Sequence, residues 1–308
     1  MILTDFDYVR PAGLDEALTL LSGTRGARLL AGGQTLLPAL RTGEIVLDPV
    51  GGPLLVDIRH VDELRGIEDG PGGGLRIGAL TTLAELAAHP RVLAGAPELA
   101  AAARANGDPQ VRNLGTVGGN LAATGRATDL PVAAVAAGAL VELAGPGGRS
   151  TVPAEEFAAT GAPAGSVVTA LLAPAGGPAA AFEKTADRAT RYPVCATAVR
   201  ITSGGPRIAV TGATPRALRL RGGEDRLCGC PCLPMPTSRR SAPSLRNCSA
   251  ANTEPRPKTS SSSRGTESPR AWSGALWESS ETAVSFSCCF FIILSLFFDA
   301  DRRNYQHS

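Results

Sequence analysis

The composition breaks near Arg221, and that break decides how much of the 308-residue chain reads as one foldable text. Residues 1–221 hold four Ser, one Cys, three Phe and no Trp, whereas residues 222–308 hold 16 Ser, six Cys, five Phe and both Trp. From Gly222 to Arg270 the chain is rich in Pro, Ser, Thr and Arg, a composition too poor in apolar residues to offset the entropy of folding. Cys228, Cys230, Cys232, Cys248, Cys288 and Cys289 form no Cys-x-x-Cys pair and have no neighbouring His, which argues against a zinc site. The apolar run Phe286–Phe298 falls short of the ~18 residues of a membrane span, so it suggests no more than a weak C-terminal anchor. Residues 222–308 read as an out-of-frame or otherwise foreign extension, with natural disorder as the alternative.

The first 221 residues balance 20 basic against 20 acidic side chains. With no basic excess here and 4% aromatics over the whole chain, nucleic-acid binding and base stacking are not indicated. Nineteen of the 20 cations are Arg, and the exception is Lys184. The N-terminus carries Asp5 and Asp7 and no apolar run, unlike a signal peptide. A single cysteine, Cys195, fits a reducing cytosol and excludes both a disulfide scaffold and an iron–sulfur cluster held by this part alone. The expected location is cytoplasmic.

Short helix and strand signals alternate. Leu14, Ala17, Leu18 and Leu21 share a helical face. Arg28–Leu30 is a strand running into Gly32-Gly33, followed by a helical turn over Leu36–Leu40. Leu54–Ile58 and Leu75–Ala79 read as strands, the latter preceded by a hairpin turn at Gly70–Gly74. Thr82–Ala88 and Val92–Ala105 read as two helices, and Asp129–Ala137 as a third with Pro131 in its first turn. Leu140–Leu143, Val167–Leu172, Val194–Thr202 and Ile208–Thr211 read as strands. The mixture predicts α+β subdomains.

No P-loop, Rossmann glycine fingerprint or nucleophile–base set is present, and His60 and His89 have no metal-ligand spacing. Two glycine segments remain. Ala31-Gly32-Gly33-Gln34-Thr35-Leu36 follows a strand, and its adjacent glycines permit a sharp turn, close ligand approach and a nest of N–H groups for phosphate. Gly115-Thr116-Val117-Gly118-Gly119-Asn120 repeats the logic. Either alone is also an ordinary strand–turn–helix corner, but two diglycine loops with nearby hydroxyls suit a ligand carrying two phosphates. Asp129 is placed either to cap the helix that follows it or to accept hydrogen bonds from ligand hydroxyls.

Taken in order, Phe6-Asp7-Tyr8-x-x-Pro11, Leu30 to Pro38, Asp57-Ile58, Ile77 to Thr82, Gln110 to Asn120 and Asp129-Leu130-Pro131 resemble the FAD-binding subunits of molybdenum hydroxylases. These are the medium chain of aerobic carbon monoxide dehydrogenase and the flavin subunit of xanthine dehydrogenase. The resemblance covers about residues 1–220. It implies a two-subdomain FAD-binding fold of the p-cresol methylhydroxylase (PCMH)/vanillyl-alcohol-oxidase type, with subdomains at 1–52 and 53–175. An incomplete α+β C-terminal domain at 176–221 would follow, with a three-stranded sheet, and then the tail.

The resemblance further implies that Ala31, Gly32, Gly33, Gln34, Thr35 and Leu36, with Thr116, Val117, Gly118, Gly119 and Asn120, wrap the FAD pyrophosphate. Asp129 would face the ribityl or flavin region, Lys184 would lie near the flavin, and Tyr192 would flank the ring. FAD would be bound non-covalently. The partners would be a molybdenum-cofactor large subunit and an iron–sulfur small subunit, and the activity an electron relay between them and an acceptor. Arg126 stands where Pro is common and Arg191 where an acidic residue is common. The main departure comes after Ala217, where such subunits continue with further helices. A stand-alone FAD-dependent reductase of the same fold, or a truncated nucleotide-binding module without activity, are the other two readings.

Overall fold

The structure, a computed structural model, describes residues 6–45, 54–123, 127–176, 179–214 and 216–228. Arg126 and the tail beyond Cys228, including its apolar run, lie outside the described residues. The chain begins with β1 (Asp7–Val9), α1 (Leu14–Gly23), β2 (Arg28–Leu30), α2 (Leu36–Thr42) and β3 (Leu54–Asp57). The strands form a parallel sheet in the order β1-β3-β2. β3 has a partner on each side and all four of its residues are buried, as the middle of a parallel sheet requires. Leu14 and Ala17 of α1 are buried against it, with Leu18 and Leu21 packed alongside.

The second layer starts with β4 (Ile67–Asp69) and β5 (Leu75–Gly78), the hairpin that the Gly70–Gly74 run predicts. Then come α3 (Leu83–Ala88), α4 (Pro90–Gly95), α5 (Pro97–Ala105), α6 (Pro109–Leu114), α7 (Val117–Leu121) and α8 (Asp129–Ala137). The layer ends with β6 (Leu140–Gly145), β7 (Gly148–Pro153), α9 (Ala154–Thr160) and β8 (Val167–Ala173). Its sheet is antiparallel, ordered β4-β5-β8-β6-β7. Thr82 and Glu85 close a reciprocal capping box at the start of α3. Val92–Ala105, continuous in sequence pattern, is divided between α4 and α5. Ala96 leaves the helical region at φ −150°, ψ 59°, and Pro97, which has no N–H to donate, starts a new helix.

β9 (Ala180–Ala186), β10 (Pro193–Thr202), β11 (Gly205–Thr211) and β12 (Leu218–Arg219) form an antiparallel sheet in the order β12-β11-β10-β9. That is four strands rather than the three implied by the resemblance, because Leu218 and Arg219 pair with Val210 and Ala209. α10 (Arg221–Cys228) follows, so regular structure passes the compositional break. Glu224 accepts from Arg219 Nε at 2.8 Å and Nη2 at 2.9 Å, and from the Ile208 amide at 2.9 Å.

The third sheet shares its core with the second layer. Ala196, Ala198, Ala209 and Ala217 belong to the same buried cluster as Leu99 of α5, Ile77 of β5 and the whole apolar run of α8. α8 is buried on nearly every side, which its all-round apolar sequence anticipates. Cations of the third sheet sit on carbonyls at the C-terminal ends of three helices. Arg200 donates to Ala137 O at 3.3 Å and Gly95 O at 2.6 Å, Arg207 to Ala136 O at 3.2 Å and Val135 O at 3.1 Å, and Lys184 to Ala105 O at 3.1 Å. Val135 O also accepts from the Gly138 N–H at 3.1 Å, while the other four belong to the last turns of their helices, where carbonyls run out of helical donors and the helix dipole favours positive charge.

Candidate functional site

The two glycine segments meet. A Cβ on Gly32 would lie 2.2 Å from the Leu114 carbonyl oxygen and 2.8 Å from Gly115 Cα, so only a glycine can make this backbone-to-backbone approach. Gly33, at φ +70°, turns the chain out of β2 and toward α2. Among the described residues, the N–H groups of Gly32, Gly33, Gln34 and Thr35 donate to no backbone or side-chain acceptor. A run of free amides in a turn is a nest for anionic oxygens, and leaving such groups unpaired without a ligand is unfavourable. The Gln34 amide reaches back to Gly32 O at 3.2 Å and braces the turn.

The second segment is built differently. Val117 N–H donates to Thr81 O at 3.0 Å, Gly118 N–H to Ala79 O at 2.8 Å and Asn120 N–H to Thr116 O at 2.9 Å. Gly119 N–H donates to the Thr116 hydroxyl at 3.2 Å. These amides are therefore engaged within the chain, which narrows the wrapping role expected of them. Thr116 caps α7 through its oxygen and keeps its own O–H proton to donate. Gly118 has a packing reason as well, since a Cβ there would meet Ala79 Cβ at 2.7 Å.

Asp129 is the first residue of α8 and does not cap it. Asn120 does so from outside the helix, its Oδ1 accepting from Leu130 N–H at 3.1 Å. Asp129 instead forms a buried constellation. Its Oδ2 accepts from Lys184 Nζ at 2.8 Å and from Asn106 Nδ2 at 2.9 Å, with 2% and 4% of the Asp129 and Lys184 side chains exposed. Oδ1 is buried and has no hydrogen-bond partner. Burial raises the Asp129 carboxyl above its ordinary value, while the Lys184 charge and the Lys184 and Asn106 hydrogen bonds oppose the rise. The lone lysine of the first 221 residues is thus an interior group and not a surface one.

Tyr192 is half-buried in the turn between β9 and β10, where Asp187 ties the chain by accepting from Thr190 N–H at 2.7 Å and the Thr190 hydroxyl at 2.8 Å. Its neighbour Arg191 sits at φ 61°, alone in that region among the described non-glycine residues. The structure brings Ala31–Thr35 against Leu114-Gly115 and joins Asp129 to Lys184.

Two groups receive no role in the sequence reading, although Asp57 is part of the resemblance. Asn106 ends α5, a bland place for an asparagine. Asp57, aligned with Leu30 at the edge of the glycine turn, is buried and accepts from Arg59 Nε at 2.9 Å, Arg59 Nη2 at 2.7 Å and the Tyr8 hydroxyl. Burial alone would raise this carboxyl, but the Arg59 and Tyr8 hydrogen bonds hold it well below the usual carboxylate range.

Comparison with known proteins bears on the whole arrangement. Residues 4–175 match the family described as the FAD binding domain in molybdopterin dehydrogenase, a span that takes in both glycine segments and Asp129 but not Lys184 or Tyr192. The chain is 38% identical over 242 residues to the carbon monoxide dehydrogenase medium chain of Hydrogenophaga pseudoflava, covering 74% of this chain and 82% of that one. It is 34% identical over 209 residues to the glyceraldehyde dehydrogenase medium chain of Sulfolobus acidocaldarius, covering 66% and 72%. A solved structure of carbon monoxide dehydrogenase from Hydrogenophaga pseudoflava, lacking the Mo-pyranopterin moiety of its cofactor, superposes with a TM-score of 0.68 at 36% identity, over 75% of this chain and 82% of that chain. Quinoline 2-oxidoreductase from Pseudomonas putida 86 superposes with a TM-score of 0.67 at 30% identity, over 74% and 81%. The turn of free amides, the orphaned Asp129 oxygen and these matches agree, and the chain belongs to the FAD-binding medium subunits of the molybdenum hydroxylases, oxidoreductase subunits whose cofactor is FAD.

Proposed function

We propose that this chain is the flavin-bearing electron relay of a cytoplasmic molybdenum hydroxylase complex. It would take electrons from the iron–sulfur clusters of a small partner subunit, with substrate oxidation on a molybdenum-cofactor large subunit, and deliver them to an acceptor. When bound, FAD supplies one- and two-electron chemistry. The chain's own work is holding, orienting and shielding. Ala31 to Leu36 would cradle the pyrophosphate through their amides, with Thr116 offering a hydroxyl. Val117 to Asn120 would support that cradle from behind. Asp129 would accept from a ribityl hydroxyl, with Lys184 as its counter-charge and Tyr192 beside the ring. The observation that carries this reading is the contact of Gly32 with Leu114-Gly115, which places the free amides of the first segment at the start of the second.

The full chain should purify yellow or turn yellow with added FAD, and acid precipitation should release all the flavin into the supernatant, as a non-covalent cofactor requires. No flavin binding at any concentration would refute the assignment. Co-purification with a large and a small subunit on native expression separates the relay from a stand-alone reductase.

A further inference from the structure

The Asp129 constellation contains a donor for which the relay reading has no use. Asn106 closes α5, its backbone N–H held by Ala103 O at 3.3 Å. Its carbonyl accepts from Arg112 Nη1 at 3.1 Å, and the same nitrogen reaches Gly107 O at 3.0 Å. The residue is fixed by its own backbone, so its side-chain amide is free to be aimed. It is aimed at Asp129 Oδ2, 2.9 Å away and 23 positions along the chain, the same oxygen that Lys184 occupies. Both donors converge on one oxygen while the other, equally buried, has none. A carboxylate with one oxygen doubly satisfied and the other bare is a directional acceptor. It rewards a ligand O–H on Oδ1 and penalises an empty site.

We propose that Asn106 is a positioning residue for Asp129, holding the carboxylate ionised and turned so that Oδ1 receives a hydroxyl of the bound cofactor. The proposal rests on the reading of Asp129 as a ligand group given above. The charged groups facing Asp129 are few among the described residues. Lys184 of β9 touches it directly, and Arg112 of α6 stands one step away on the Asn106 and Gly107 carbonyls. Asn120 of α7 is neutral and bonds the neighbouring Leu130 amide. A carboxylate accepts the ligand proton and a protonated carboxyl does so poorly. FAD affinity is therefore full at high pH and declines as pH falls through the Asp129 transition. Asn106 donates to the charged form, so its loss moves that transition upward.

The test is FAD fluorescence quenching by the full chain between pH 4.5 and 8. Native protein, Asn106→Leu, Asn106→Gln and Asp129→Asn are compared. In Asn106→Leu the decline in affinity is expected about one pH unit higher than in native protein. Asn106→Gln should restore part of the native profile, and Asp129→Asn should flatten it. A uniform loss of affinity at every pH in Asn106→Leu, or a superimposable profile, overturns the proposal. A second readout covers a variant that fails to fold. In the ¹³C-labelled native chain, the Asp129 carboxyl carbon and the Asn106 side-chain amide should titrate with one midpoint. An Asn106 amide that ignores the Asp129 transition also overturns the proposal. Native protein that binds no FAD at any pH refutes the flavin assignment itself, a different outcome from either.

Discussion

Glu98 Oε1 lies 3.0 Å from Arg200 Nε with both side chains almost wholly buried, yet neither carboxylate oxygen receives a well-aligned hydrogen bond. The contact is one of charge and not of direction. Burial pushes the Glu98 carboxyl up from 4.5 to about 7, with the Arg200 charge opposing the rise. Because the folded value is the higher one, the folded state holds a proton that the unfolded state has lost between pH 4.5 and about 7. Stability should therefore fall as pH rises through that window, by ~3 kcal/mol at most, and Glu98→Gln should remove that part of the slope. Urea unfolding at pH 5.5 and 7.5 measures it, and identical slopes in the two proteins would show that Glu98 carries no linkage.

Gly32→Ala introduces a Cβ against the Leu114 carbonyl. Overpacking of this kind costs ~1–3 kcal/mol, and here it forces the first glycine turn away from the second segment. Both melting temperature and FAD affinity should drop. Gly147→Ala is the control, since a Cβ there meets nothing within 4 Å. Equal behaviour of the two variants would remove the close approach from the account of the site.

The low Asp57 carboxyl has the opposite pH signature to Glu98. Its stabilisation is present above the ordinary carboxylate value of 3.8 and is lost as pH falls toward the folded value. Arg59→Gln withdraws its strongest donor and raises the folded value. The midpoint of acid unfolding, followed by far-UV circular dichroism, should then move to higher pH. An unchanged midpoint would mean that Tyr8 and the Arg59 backbone N–H, which donates to Asp57 Oδ1 at 3.0 Å, suffice.

Asn120→Ala deprives the Leu130 amide of its acceptor at the head of α8. Loss of a capping side chain costs ~0.5–2 kcal/mol, and thermal unfolding should register it. The loss should appear without FAD present, because this role for Asn120 concerns the helix and not the ligand.

How much of this was legible depended on whether the cause was local. α8 was readable to the residue, because Pro131 fits the first turn and Gly138, at φ +68°, ends the helix in the left-handed region. β9 was not anticipated. Its sequence AAFEKTA has little intrinsic strand character, and it is a strand because β10 pairs with it from Ala180 to Ala186. The split between α4 and α5 was hidden by an Ala-rich pattern that overrode the signal of Pro97. At the site, the glycine segments and Asp129 were visible as motifs, and Lys184 as an oddity of composition. Their geometry was not visible. The Lys184–Asp129 contact spans 55 positions and the Asn106–Asp129 contact 23, and no periodicity encodes either. The amides of Val117 and Gly118 looked available for phosphate because the acceptors that engage them, Thr81 O and Ala79 O, lie on a turn distant in sequence, while those of Gly119 and Asn120 are taken up locally by Thr116.

The cations seated on helix ends also bear on the order in which the molecule is made. Arg200 meets Gly95 and Ala137 across 105 and 63 positions, Lys184 meets Ala105 across 79, and Arg207 meets Ala136 and Val135 across 71 and 72. During synthesis, α4, α5 and α8 emerge long before their terminating charges do. Closing loops of this length is slow relative to local helix formation. The cofactor-binding half of the chain therefore waits, its three helices closed by their own cap amides but without the side-chain cations on their last carbonyls, until β9, β10 and β11 arrive.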